Sequence, residues 1–131
     1  MNKLFYPAIF HKEEEGFWVS FPDLPEALTQ GDDMDDAYFM AQDCLGLVLT
    51  TREIEVQSLP KPSLPNKISV GKDEYLVIIE FDMMEYKKRM NSKAVKKTLT
   101  IPGWLNEEAI KKGLNFSQVL QEALIIKLKS F

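Results

Sequence analysis

The sequence is poor in the side chains that most often carry chemistry. Its 131 residues include one cysteine, Cys44, and one histidine, His11. A single cysteine excludes an internal disulfide. Cys44 also falls on a helical apolar stripe, where a thiol acts as a small inert hydrophobe. His11 stands beside a turn with no base or nucleophile evident near it in the sequence, so a surface or partner-contact role is expected and catalysis is not. No apolar run approaches the roughly 18 residues needed to cross a bilayer. The stretch Met1 to Phe5 lacks a signal-peptide apolar core, so a cytoplasmic protein is expected. Basic side chains are scarce at the front, where residues 1–55 hold three against twelve acidic ones.

What is present is arranged asymmetrically. Residues 56–86 carry three basic and five acidic side chains, whereas residues 87–131 carry ten basic and three acidic. The net charge of −4 therefore conceals an acidic front and a basic back. Such a division suggests two partners of opposite charge, with only the back suited to nucleic acid. At this length the chain should form one or two small domains.

The front half alternates in the way of strands. Lys3 to His11 and Phe17 to Phe21 are rich in aromatic and β-branched types and flank the polar turn Lys12-Glu13-Glu14-Glu15-Gly16, which predicts a hairpin. One of Phe17 and Trp18 must face away from the core, and an outward aromatic there would be a natural interface anchor. Pro22 to Glu26 reads as a proline-bracketed loop before a short third strand over Ala27 to Gln30. From Met34 to about Thr50, apolar residues recur at three- and four-residue steps, which predicts a helix. Asp32, Asp33, Asp35 and Asp36 lie at its start, where carboxylates favour the positive end of the helix dipole. That cluster lacks the spacing of a calcium loop, and a two-metal nuclease needs carboxylates from several elements, so no metal or cofactor is expected. Ser58 to Asn66 holds three prolines and reads as an extended connection. Tyr75 to Phe81 reads as a buried strand, and residues 84–95 as a basic linker.

The last third is the most patterned. In Lys96-Lys97-Thr98-Leu99-Thr100-Ile101, Leu99 and Ile101 point one way, and Lys96, Thr98 and Thr100 the other. Pro102-Gly103 ends the strand. A helix over Trp104 to Lys112 should stop at Gly113 in a left-handed cap, and Asn115-Phe116-Ser117-Gln118 reads as a capping box opening a second helix. One strand and two helices cannot close a core alone, so two copies should pair their strands antiparallel over four helices. The resulting ribbon fits the major groove of B-DNA. This stretch resembles the ribbon-helix-helix family of DNA-binding dimers. Thr98 and Thr100 would then read bases, though threonine also simply suits strands. Lys96, Lys97 and Lys93 would contact phosphates, and the backbone N–H groups of Asn115, Phe116 and Ser117 could hold a phosphate at a helix start.

The front half, through Phe21-Pro22-Asp23-Leu24-Pro25 followed by Gly31-Asp32 and an alanine-bearing helix, resembles the HicB antitoxin family, departing from many members at Glu26, where they carry glycine. The resemblance implies an α+β chain. A truncated RNase H-like β-β-β-α-β domain over 1–83 would bind toxin, and a β-α-α ribbon-helix-helix domain over 96–131 would dimerise and bind DNA. It further implies a non-catalytic antitoxin that neutralises a small HicA-like mRNA-cleaving toxin and represses its own operon as a homodimer or higher oligomer. His11, Asp23 and Glu26 are the candidate toxin contacts. The competing expectation is a stand-alone regulator whose front domain senses a small molecule. A hydrolase is disfavoured because the carboxylates do not form a catalytic constellation.

Overall fold

The computed structural model describes residues 3–131, in two compact units, one running up to Ser92 and the other Lys93–Phe131. In the first unit, β1 (Lys3–Lys12), β2 (Phe17–Phe21) and β3 (Leu24–Gly31) form an antiparallel meander. Then come α1 (Met34–Ile54), β4 (Glu74–Asp82) and α2 (Met83–Met90). The sheet order is β3-β2-β1-β4, with β4 antiparallel to β1.

Alternation explains the core. Tyr6, Ala8 and Phe10 of β1, Val19 and Phe21 of β2, and Ile79 and Phe81 of β4 all point to one face. Against them α1 lays Ala37, Ala41, Leu45 and Leu49, one residue every turn or so. Asp33 caps α1 by accepting from the N–H of Asp36 at 2.8 Å, while the Asp36 carboxylate accepts from the N–H of Asp32 at 2.8 Å. Two of the four clustered aspartates are thus engaged in a reciprocal cap.

Several expectations change in detail. β3 begins at Leu24 rather than Ala27 and runs through Pro25, which the sheet tolerates because β3 is an edge strand and that position needs no ladder donor. The expected loop therefore shrinks to a turn at Pro22-Asp23. β4 forms the other edge, and it is buried only on the face that packs against α1. Its Glu80 backbone is sealed by α1, with the N–H donating to the Tyr38 hydroxyl at 3.1 Å and the carbonyl accepting from Gln42 Nε2 at 2.8 Å. The proline-rich connection is extended but anchored, since Tyr6 donates its hydroxyl to the Pro60 carbonyl at 2.6 Å.

The largest correction concerns the expected linker over 84–95, most of which is the helix α2. Asp82 caps it by accepting from the N–H of Glu85 at 3.0 Å, an Asp-x-x-Glu start that the density of basic residues obscured. Tyr86 packs at the margin of the core, tilted against Phe81 with ring centroids 5.6 Å apart. The ring leaves no room on α1 opposite it. A Cβ placed on Gly46 would collide with the Tyr86 ring, so glycine is needed for this close approach.

In the second unit, α3 (Gly103–Lys111) and α4 (Phe116–Lys129) meet at Gly113, whose φ of +69° is the left-handed conformation glycine adopts freely. Gly113 N–H donates to the Ile110 carbonyl and Leu114 N–H to the Ala109 carbonyl, which completes a Schellman motif. Asn115 caps α4 by accepting from the N–H of Gln118 at 3.1 Å. The Gln118 side chain turns to Glu122 instead of reaching back, so only half of the expected capping box forms. Residues 91–102 carry no helix or strand, and the strand expected over 96–101 is not formed in the single chain. A lone segment has no second strand with which to make a ladder.

Candidate functional site

His11, expected to stand alone, lies within a built cluster on the sheet face away from α1. Its cross-strand neighbours are Trp18 on β2 and Glu74 on β4. Nδ1 lies 3.0 Å from Glu74 Oε2, and Nε2 lies 2.9 Å from Ser20 Oγ. The imidazole is stacked on the Trp18 indole, with centroids 3.5 Å apart and planes within 6° of parallel. A carboxylate, an imidazole and a hydroxyl in a row resemble a hydrolase relay. Here, however, neighbouring strand N–H groups belong to the sheet ladder instead of converging as an oxyanion hole. What the cluster does is fix the Trp18 ring through its stack on a clamped imidazole. Sequence spacing could not reveal it, because its members are joined only by strand pairing.

Asp23 and Glu26 are each engaged within the chain. Asp23 Oδ2 accepts from the N–H of Ser63 at 2.9 Å, and Oδ1 accepts from the Ser63 hydroxyl, which ties the β2–β3 turn to the proline-rich connection. Glu26 takes a two-pronged hydrogen bond from Arg52, Nε to Oε2 at 2.7 Å and Nη2 to Oε1 at 2.9 Å. This bond holds the Glu26 carboxyl below its usual range and raises the Arg52 guanidinium. The residue that departs from the family's glycine thus fastens the edge strand to the end of α1. The three candidate contacts do not converge: His11 lies on the sheet face, and Glu26 reaches α1. Cys44 packs against the core, and burial pushes its thiol above the ordinary range, as expected of an inert thiol.

In the second unit Lys96, Lys97, Thr98 and Thr100 are all exposed. Leu99 and Ile101 line an apolar cavity of about 550 Å³ together with Leu105, Ala109, Phe116 and Leu120. Lys97 and Ser117 stand at the same cavity, whereas Lys96, Thr98 and Thr100 do not line it. No residue of α3 or α4 is buried. The unit carries seven basic and three acidic side chains, against nine and seventeen in the residues up to Ser92.

Comparison with known proteins agrees with this geometry. The family model described as HicB_like antitoxin of bacterial toxin-antitoxin system matches residues 5–82, the β-β-β-α-β portion of the first unit. Antitoxin HicB 2 of Photorhabdus laumondii is 43% identical over 58 residues, 44% of this chain and 42% of that protein, so the match spans less than half the length of this relative. Among solved structures, a toxin-antitoxin complex from Streptococcus pneumoniae contains a chain with a TM-score of 0.60 and 29% identity, covering 95% of this chain and 99% of that one. The crystal structure of antitoxin HicB3 gives a TM-score of 0.54 at 27% identity, over 92% and 95% of the two chains. An antiparallel sheet backed by one long helix, its strands matched by the family model from Phe5 to Asp82, identifies the chain as a member of the HicB-like antitoxin family of bacterial toxin–antitoxin systems.

Proposed function

We propose that this chain is a non-catalytic antitoxin that masks a small, basic, HicA-like RNA-cleaving toxin with its first unit and represses its own operon with its second. The observation that carries the reading is the joining of a family-matched acidic unit to a basic unit that cannot bury its own apolar surface. An enzyme that grips RNA is basic, so an acidic partner speeds encounter and competes with RNA for the same charge. We read the first unit as a truncated RNase H-like scaffold kept for binding, since Asp23, Glu26, Asp33 and Asp36 are engaged in internal contacts.

The second unit then works as a homodimer. Paired antiparallel strands over 96–101 satisfy each other's backbone and close the apolar cavity beneath Leu99 and Ile101. The opposite face presents Thr98 and Thr100 to base edges, with Lys96, Lys97 and the start of α4 at Asn115 to Ser117 on phosphates. Toxin bound to one unit and operator bound to the other are linked through this dimer.

Affinity capture of the full chain from its own cells, combined with operator binding, tests the proposal. A small basic protein that is toxic when expressed alone should be recovered in near-equal amount. Thr98→Ala or Thr100→Ala should weaken operator binding by ~1–3 kcal/mol per lost base contact while leaving toxin capture intact. If DNA is bound but no such protein is recovered, the first unit is a sensor and the toxin-masking reading fails.

A further inference from the structure

α1 is the helix packed on the sheet, and it covers one face; the other face displays large apolar side chains. Along the uncovered face Phe5 is 51% exposed, Trp18 40%, Leu28 61% and Ile78 39%. Each is a large side chain, and a sheet face meant only for water would carry polar residues at these positions. The register shows that they share one face. Trp18 is opposite His11, Leu28 opposite Ser20, and Ile78 opposite Pro7, which is two residues from Phe5. The face is also shaped in advance. Trp18 is stacked on the imidazole, itself clamped between Glu74 and Ser20, so the orientation of its ring is set before any partner arrives.

Charge decides the occupant. The β1–β2 turn brings Glu13, Glu14 and Glu15 to one end of this face, and all three are exposed. The pairing of Phe17 with Gly31 places Asp32 at that same end, and the hydrogen bond from Lys12 N–H to the Asp73 carbonyl places Asp73 there too, so five carboxylates outnumber two exposed lysines, Lys12 and Lys72. A second copy would set a unit of seventeen acidic and nine basic side chains against one of the same charge. A basic partner would meet complementary charge around a dry aromatic centre.

We propose that the uncovered sheet face, centred on the Trp18–His11 stack and rimmed by the carboxylates of the β1–β2 turn, is the surface on which the basic RNA-binding toxin docks. The assignment rests on the antitoxin reading. It moves the contact away from Asp23 and Glu26, which are engaged internally, and keeps His11 as the support of the anchor ring.

The test uses the full chain and the toxin recovered with it, the toxin carried as a variant that no longer cleaves RNA. Trp18→Glu and Ile78→Glu should each raise the Kd by about tenfold or more, as expected at the centre of an interface. Leu47→Glu, on the exposed side of α1, should leave the Kd unchanged. Hydroxyl-radical footprinting of the unsubstituted chain gives a second readout that does not depend on any variant folding. Toxin should protect Trp18 and Phe5 but leave Leu47 reactive. Wild-type affinity in both sheet-face variants, or protection of Leu47 in place of Trp18, overturns the surface while leaving the antitoxin reading standing. Protection of Trp18 before toxin is added identifies a second copy as the occupant and overturns it also. Failure of the unsubstituted chain to bind any toxin removes both readings.

Discussion

At the residue scale, His11, Asp23 and Glu26 each make contacts that fasten the chain to itself. Glu26 is the clearest case, since Arg52 donates two hydrogen bonds to it and holds its carboxyl below the usual range. A group depressed on folding contributes stability above its unfolded value and loses it as pH falls through its folded value. The melting temperature of the wild type should therefore exceed that of Glu26→Gln at pH 7. The two curves should converge as the buffer is taken down to about pH 3. A constant gap across that range would show that the pair acts through shape rather than charge. Because the Glu26 side chain is 45% exposed, the gap at neutral pH should be small.

At the element scale, α2 has the most to teach. Its sequence is so rich in lysine and arginine that it reads as a solvated linker, yet one aromatic residue docks it. Tyr86 packs over Gly46, and Arg89 lies 5.6 Å and 5.7 Å from the Phe39 and Tyr86 ring centroids while its guanidinium donates to Asp43 at 2.6 Å. Tyr86→Ala removes the docking ring from a half-buried site and should cost about 1–3 kcal/mol, below the range for a fully buried aromatic. Trypsin should then cut at Lys87, Lys88 and Arg89 well before the rest of the first unit. An unchanged cleavage rate would mean that the salt bridges of α2 with α1, Lys87 to Glu53 and Arg89 to Asp43, hold the helix without the ring. The strand over 96–101 is the converse case. Its alternation is plain in the sequence, but a strand consists of its pairing, and one chain offers it no partner.

At the scale of the whole molecule, two units of opposite charge have different relations to their own surfaces. The first closes a core among its own strands and helix. The second leaves Leu99, Ile101 and Trp104 at least 46% exposed, and the proposed homodimer ties its stability to association. A fragment spanning Lys93 to Phe131 should melt at a temperature that rises with protein concentration, whereas a fragment ending at Ser92 should not. Concentration-independent melting of the tail fragment would contradict the paired ribbon. Among the described residues no helix is long and apolar enough to cross a membrane.

Local pattern was sufficient for the element order β-β-β-α-β, the Asn115 cap, the Gly113 turn and the split of charge. Each of these depends on neighbours within a few residues or on composition alone. Tertiary structure alone decided the rest. It brought Glu74 and Ser20 to either side of His11, closed Arg52 on Glu26, set Tyr86 against Gly46, and left the Trp18 face of the sheet uncovered. These pairs are separated by 9 to 63 positions, and no spacing in a sequence specifies which strand will lie beside which. Backbone pairing does, and with it the choice of which face is dry and which is left for a partner.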